Sequence, residues 1–333
     1  MEHLIKENES FSDSYWKFVQ SKYGEQQSFG YYFKDLQSGA AYCLNSEKII
    51  TTSFELREEE EIKAHIVLFQ HSDLPPDQAF FGFFECVHDF EVFRELWELV
   101  TSYGISKGIK TFKGPVNGSI WHSYRVVSFM GDSGFFPSEP IIESYYNDFF
   151  ERISPQNVIL YKSAYRKRYN FIIRHTRKAF EEAINQGFSI EKLGNIDSQT
   201  AVAIYTLSFK IFNESWGYVP LNPEEFQALY SNEKIENYIS SIYIVSLQNQ
   251  IVGFCSNLSY ANNLIMKTLA VDPEFQQKGI AKALVHKIHS DAKQQRVAKI
   301  FYALVRKGNK VKYFPLDDVK VVREYAAFEY KIG

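Results

Sequence analysis

No two of the three cysteines in this 333-residue chain stand at a spacing used for a disulfide or a metal: Cys43, Cys86 and Cys255 are scattered. That pattern fits a reducing, cytoplasmic setting and argues against a cystine framework. Long hydrophobic runs are missing too. No window approaches the length of a bilayer-crossing helix, and the opening Met1-Glu2-His3-Leu4-Ile5-Lys6-Glu7 has no apolar core, so no secretion signal is expected. Neither sign of charge is in excess. A total of 37 Lys and Arg against 40 Asp and Glu leaves −3, which does not call for nucleic acid or an anionic membrane as partner. Any basic site must be local, and no metal site is expected. Aromatic residues are what the chain has in quantity, 29 Phe and 22 Tyr, which suit thick cores or an aromatic-lined groove. The length favours two domains of about 150 residues each, divided here as 1–150 and 151–333.

Tyr15, Trp16, Val19 and Tyr23 share one face of a helix over Phe11–Tyr23, capped by Ser12 or Asp13. Strand-like runs follow at Lys48–Phe54, Ile62–Gln70 and Ala79–Cys86, the first two separated by an acidic turn, Glu58 to Glu61. From Asp89 a helix buries Val92, Phe93, Leu96, Leu99, Val100 and Tyr103, and the strand Thr111–Val116 closes the first half. Ile141–Pro155, aromatic and broken by proline, reads as a firm joint. The stretch Gln156–Gln186 reads as one long basic helix carrying Arg166, Lys167, Arg168, Arg174, Arg177 and Lys178 among tyrosines. It is a solvated helix face, a cationic surface for an acidic ligand, or a backbone contact for nucleic acid. A strand at Phe188–Leu193 and helices at Thr200–Phe212 and Pro223–Tyr230 come next. Then come strands at Ile242–Leu247, Ile251–Ser259 and Leu264–Val271.

The most informative stretch is Leu269-Ala270-Val271-Asp272-Pro273-Glu274-Phe275-Gln276-Gln277-Lys278-Gly279-Ile280-Ala281-Lys282. An apolar strand stops at Asp-Pro, a polar loop holds one glycine, and a helix follows over Gly279–Gln295 with Ala283, Leu284, Lys287 and Ile288 on one face. Free amides at a helix start, aided by the helix dipole, cradle a diphosphate, and Gly279 and Ala281 let it approach the main chain. Lys278 and Lys282 add positive charge nearby. An ordinary strand-to-helix turn is the alternative. Between Cys86 and Phe90, the matching place in the first half, stands Val87-His88-Asp89, with an acid and no glycine.

The spacing Gln276-x-x-Gly279-x-Ala281 after Leu-Ala-Val resembles the acyl-CoA loop of the GNAT N-acyltransferase superfamily. Phe81-Gly82-Phe83-Phe84, Gly114-Pro115-Val116-Asn117, Gly134 to Pro140 and Tyr145-Tyr146-Asn147 look like a bacterial tandem-GNAT group of the YghO type. The resemblance implies an α/β fold of two tandem units. Each is a mixed, mostly antiparallel sheet flanked by helices, the first a degenerate copy and the second the acyltransferase. It implies acetyl-CoA or another acyl-CoA as co-substrate, held by Leu269, Ala270, Val271, Gln276, Gln277, Lys278, Gly279, Ile280, Ala281 and Lys282. The acceptor is then a small-molecule or peptide amine. Trp216 and Tyr218, in the loop expected to cover the acceptor, with Asn117 and His122 from the first half, are the acceptor-binding candidates. Tyr313, beside a short helix near Asn309, is the candidate acid for the departing thiolate. Where some members carry a glutamate on the fourth strand this chain has Ile265, Met266 and Lys267, so Glu214 is the candidate base. Two other readings remain: a non-catalytic acyl-CoA-binding or regulatory protein, and a Fem-like aminoacyl transferase.

Overall fold

The computed structural model describes residues 1–194, 196–229, 239–308 and 319–333. The first half runs β1 (Glu2–Glu7), α1 (Asp13–Tyr23), α2 (Phe29–Asn45), β2 (Ile49–Glu58), β3 (Glu61–His71), β4 (Gln78–Cys86), α3 (Phe90–Ser106), β5 (Thr111–Gly114), β6 (Val126–Met130) and α4 (Tyr145–Arg152). There follow β7 (Asn157–Arg166), α5 (Asn170–Asn185), β8 (Ser189–Leu193), α6 (Ser198–Phe212), α7 (Pro223–Ala228), β9 (Ile239–Leu247), β10 (Gln250–Tyr260), β11 (Asn263–Val271), α8 (Ile280–Gln294), β12 (Lys299–Arg306) and β13 (Val319–Lys331). Among these residues no helix is long and apolar enough to cross a membrane.

The strands form one sheet, in the order β1-β2-β3-β4-β5-β13-β7-β12-β11-β10-β9-β8, with β6 on β13. Its two wings repeat one another. In each, an antiparallel meander leads to a strand that pairs in parallel with the strand beyond a crossover helix, β4 with β5 and β11 with β12. At the centre the wings exchange strands. β7, which leaves the first half, pairs with β12 of the second, whereas β13, the last strand, pairs with β5 of the first. The two exchanged strands then pair with each other from Val319↔Arg166 to Glu329↔Asn157. A division at 150/151 falls in the last turn of α4.

One face of this sheet carries a large core and a smaller one around Phe136, Ile265, Phe301 and Val322; the large core is shared by the two halves. It joins Tyr15, Val19 and Leu36 of the first half to Tyr161, Ile204, Phe226 and Phe254 of the second. The opposite face carries two cores, one under α3 and α4 around Phe93, Trp97 and Phe150, the other under α5 and α8 around Ile172, Val285 and Ile288. α1 forms as the i, i+4 spacing of its apolar face requires: Tyr15, Val19 and Tyr23 are buried, and the Ser12 hydroxyl accepts the Tyr15 N–H at its start.

Two expectations fail. Gln156–Gln186 is not one helix, because its first third is β7. There Ile159, Tyr161 and Ser163 are buried while Val158 and Leu160 are exposed, a period of two that the neighbouring cations disguise. Pairing with strands on both sides decides the conformation, and it takes Arg166 wholly out of water. Only the second part is helical, with Arg174, Arg177 and Lys178 exposed on α5. The second failure is an omission. α2, 17 residues long, is dense in aromatics and carries Gly30 and Gly39, which mask its helical period, and no element was expected there. Gly39 is there for contact, since a Cβ would lie 2.2 Å from the Asn117 carbonyl oxygen.

A buried acid ties the first half to the exchanged strand. Glu139, 1% exposed, accepts the Phe136 N–H at 2.9 Å and the Tyr325 hydroxyl of β13. Arg323 Nε lies 3.4 Å from its Oε1, within ion-pair distance but without hydrogen-bond geometry. Burial pushes the Glu139 carboxyl up to about 7, against the opposing pull of Arg323. The folded state therefore holds this proton to higher pH than the unfolded chain does, so its contribution is complete below about 4.5 and is lost as pH rises through about 7. Compared with Glu139→Gln, the wild type is expected to lose about 3 kcal/mol of stability between pH 4.5 and 8. Denaturant midpoints of both proteins across that range check it, and parallel curves would refute it.

Candidate active site

β11 is held on one side by β10, in register to Val271. Its other side pairs with β12 only from Asn263 to Met266. Beyond that point β12 keeps only its pairing with β7 on the other side, so among the described residues the edge of Leu269–Val271 that faces β12 has no ladder. A bulge marks where the opening begins. Ser256 pairs with Thr268 and Asn257 with Met266, which leaves Lys267 as the extra residue.

The turn that follows is braced by its own side chains. Asp272, 4% exposed, accepts the Glu274 N–H at 3.0 Å and the Lys210 ammonium at 2.8 Å, and Gln276 Nε2 donates to the Val271 carbonyl at 3.2 Å. Gln277 and Gly279 then adopt left-handed backbone, φ +65° and +82°, and α8 begins with Gly279 as a cap that offers no side chain. The first bond of the helix is Ala283 N–H to the Gly279 carbonyl, 2.9 Å. The N–H groups of Lys278, Gly279, Ile280 and Ala281 have no acceptor among the described residues, and Gln276, Gln277 and Lys278 are exposed. Four orphan donors at the positive end of a helix form a ready anion cradle. Lys282 extends from the same first turn, exposed.

The first half closes the matching place. α3 starts at Asp89, whose carboxylate accepts the N–H groups of Glu91 and Val92 at 2.8 and 3.4 Å. Those donors are already used, and the acid would repel an anion.

Parts of both halves meet near the bulge of β11. The 115–125 loop of the first half meets the α6–α7 segment there, with the Trp121 ring edge-on to Phe212 and Phe226 at 5.4 and 5.2 Å. Lys267 Nζ reaches the Trp121 carbonyl at 3.4 Å. Trp216, half-buried, donates from Nε1 to Glu329 on β13 at 3.3 Å, and Tyr218 is buried against Phe209. Asn117 is committed elsewhere: its Oδ1 accepts the Phe83 N–H at 2.7 Å and its Nδ2 donates to Ser123 at 3.1 Å. His122 is 5% exposed, bonded to the Ser119 hydroxyl at 2.9 Å. Burial lowers its pKa to about 4, so it is neutral at pH 7. Glu214 is exposed in the turn after α6, and Tyr313 lies outside the described residues. Sequence reasoning missed Tyr31 and Asp35, which α2 carries to the same seam: the Tyr31 hydroxyl bonds Lys267, and the Asp35 carboxylate accepts the Ser123 N–H at 2.5 Å. Their signal was lost with the helix that carries them.

Residues 239–314 match the family model described as an acetyltransferase (GNAT) domain. No curated protein matches the chain by sequence. Solved structures share the whole architecture at very low identity. A tandem GNAT protein from the clavulanic acid biosynthesis pathway aligns with a TM-score of 0.58 at 9% identity, covering 100% of this chain and 99% of that one. A probable N-acyltransferase from Enterococcus faecalis gives 0.58 at 9% identity, covering 100% and 73%. A GCN5-related N-acetyltransferase from Anabaena variabilis gives 0.57 at 7%, covering 99% and 73%.

Proposed function

We propose that this chain, a tandem GNAT-fold protein with a GNAT acetyltransferase domain over 239–314, is an acyl-CoA-dependent N-acyltransferase whose second half alone holds the coenzyme. The observation that carries the reading is the set of uncapped amides from Lys278 to Ala281 beside the open edge of β11. In this reading those amides take the diphosphate, Lys278 and Lys282 add charge, and the Leu269–Val271 edge accepts the pantetheine arm as an added strand does. The acyl-CoA, with acetyl as first candidate, supplies an activated thioester. The chain aligns it with the amine, which accounts for several kcal/mol of barrier. A backbone N–H near Leu269 faces the carbonyl oxygen. Tyr313 protonates the leaving thiolate, and Glu214 or water takes the amine proton. Trp216, Tyr218 and His122 stand as the acceptor side, with Lys267 at its floor, and Asn117, whose amide is bonded at both ends, supports the loop that carries His122.

Incubation with acetyl-CoA and a panel of small-molecule and peptide amines, following free thiol, is expected to show release that depends on the amine. Coenzyme binding without turnover on any amine would select the non-catalytic binding protein instead. Affinity for tRNA with none for CoA would select the Fem-like transferase.

A further inference from the structure

One stripe of α2 lies along the seam between the halves. Tyr31, Asp35, Ser38 and Tyr42 stand at i, i+4, i+7 and i+11, the spacing of a single helix face. Each reaches a polar partner across the seam or in the 115–125 loop that fills it. The Tyr31 hydroxyl bonds the Lys267 ammonium of β11, and the Asp35 carboxylate accepts the Ser123 N–H at 2.5 Å. Ser38 Oγ lies 3.4 Å from His122 Nε2, and the Tyr42 hydroxyl donates to the Pro220 carbonyl.

Asp35 and Lys267 hold the same short piece of that loop from its two ends. Lys267 Nζ is 3.4 Å from the Trp121 carbonyl, Asp35 Oδ2 is on the Ser123 N–H, and only His122 stands between those two residues. Electrostatics place the pair together as well. Burial raises the Tyr31 hydroxyl and lowers the His122 ring, and against that background Lys267 pulls both down while Asp35 pushes both up. Oδ2 of Asp35 is spent on Ser123. Its Oδ1 takes no hydrogen bond among the described residues and is not shut off from water. Asp35, Lys267, Thr268 and Leu269 are all half-buried and Ser38 is exposed, so water reaches both the carboxylate and the bulge of β11. Leu269, the residue placed at the thioester carbonyl, is two positions beyond Lys267, about 7 Å along the strand.

An amine attacks a thioester as the neutral base, so an alkylammonium must first give up a proton. Glu214 is exposed in its turn, and among the described residues no contact draws it toward β11, which favours the route through water. We propose that the acceptor's proton leaves through water to Asp35, so that the first half, which holds no coenzyme, supplies the base. In that step water takes a proton from the ammonium and passes one to Oδ1. The freed nitrogen lone pair bonds the acyl carbon, the carbon–sulfur bond breaks with its electrons on sulfur, and the thiolate is protonated. Asp35 then loses its proton to solvent. This inference rests on the transferase reading above.

The test follows thiol release from acetyl-CoA by the full chain, each active amine of the panel being paired with its aminooxy isostere, phenethylamine with O-benzylhydroxylamine for example. At about pH 7.5 the amine is protonated and the isostere is neutral. Asp35→Asn keeps an oxygen for the Ser123 N–H and removes the charge. It is expected to lower kcat/KM by at least about 100-fold for the amine and by less than about fivefold for the isostere, with acetyl-CoA binding as in the wild type. If that variant does not fold, Asp35→Ala decides, since about 100 mM formate should then raise its rate on the amine by at least about tenfold. The proposal is overturned by a folded Asn variant with wild-type rates on the amines, by equal losses on amine and isostere, which would leave Asp35 only the holding of the loop, or by a folded Ala variant indifferent to formate. A wild-type chain that binds coenzyme and acylates no amine would overturn the transferase reading, and this inference with it; wild-type turnover beside an undiminished Asp35→Asn overturns this inference alone.

Discussion

Replacing Gly279 by glutamate is expected to weaken CoA binding by at least about 100-fold, some 2.7 kcal/mol, while the chain stays folded. Two effects combine. The residue holds φ +82° with Ala179 Cβ 3.4 Å from the place a Cβ would take, which costs about 1–2 kcal/mol for any side chain larger than hydrogen. The larger effect is electrostatic, because a carboxylate would stand beside the four amides that the diphosphate needs. Gly279→Ala separates the two, since it introduces only the strain and should weaken binding by less than about tenfold. Calorimetric titration with CoA, alongside circular dichroism, reads both. Undiminished binding in the glutamate variant would remove the loop from the coenzyme site.

Cutting the chain between β7 and α5, into 1–168 and 169–333, is expected to leave neither fragment folded alone, while co-expression restores a CoA-binding complex. In the intact sheet β7 stands between β12 and β13, so the second fragment would lose the strand that joins its fifth strand to its last. The first would keep β7 but lose β13, which connects it to β5. Each large apolar side chain that loses burial costs roughly 1.5–3 kcal/mol. Ile159 and Tyr161 on β7, and Tyr325 and Phe328 on β13, are all buried, and a domain has only about 5–15 kcal/mol in total. A fragment 169–333 that unfolds cooperatively and binds CoA unaided would refute the structural weight given to the exchange.

What could be read beforehand was local. The turn from β11 into α8 announced itself by an apolar run, an Asp-Pro stop, one glycine and a helical face in that order. Those signals sit within about one turn of the structure they specify. The Asp89 side chain was legible as an acid at the wrong place for an anion, and it proves to cap α3 as well. β7 was not legible, because its alternation is decided by partners that arrive from distant sequence. α2 was hidden by its glycines and aromatics, and with it went Tyr31 and Asp35. Glu85 and Arg125, 40 apart in the chain, line one small recess that no local pattern announced.

The exchanged strands also set a timetable for synthesis. β5 ends at Gly114, and the strand that completes its edge ends at Lys331. At ordinary ribosomal speed the intervening stretch takes on the order of ten to forty seconds to emerge. Through that interval the nascent first half presents a bare strand edge and the apolar flank that Phe328 will cover, a template for pairing with any neighbouring chain. Slower translation near the 3′ end of the message should therefore lower the soluble yield more than the same delay placed near its start.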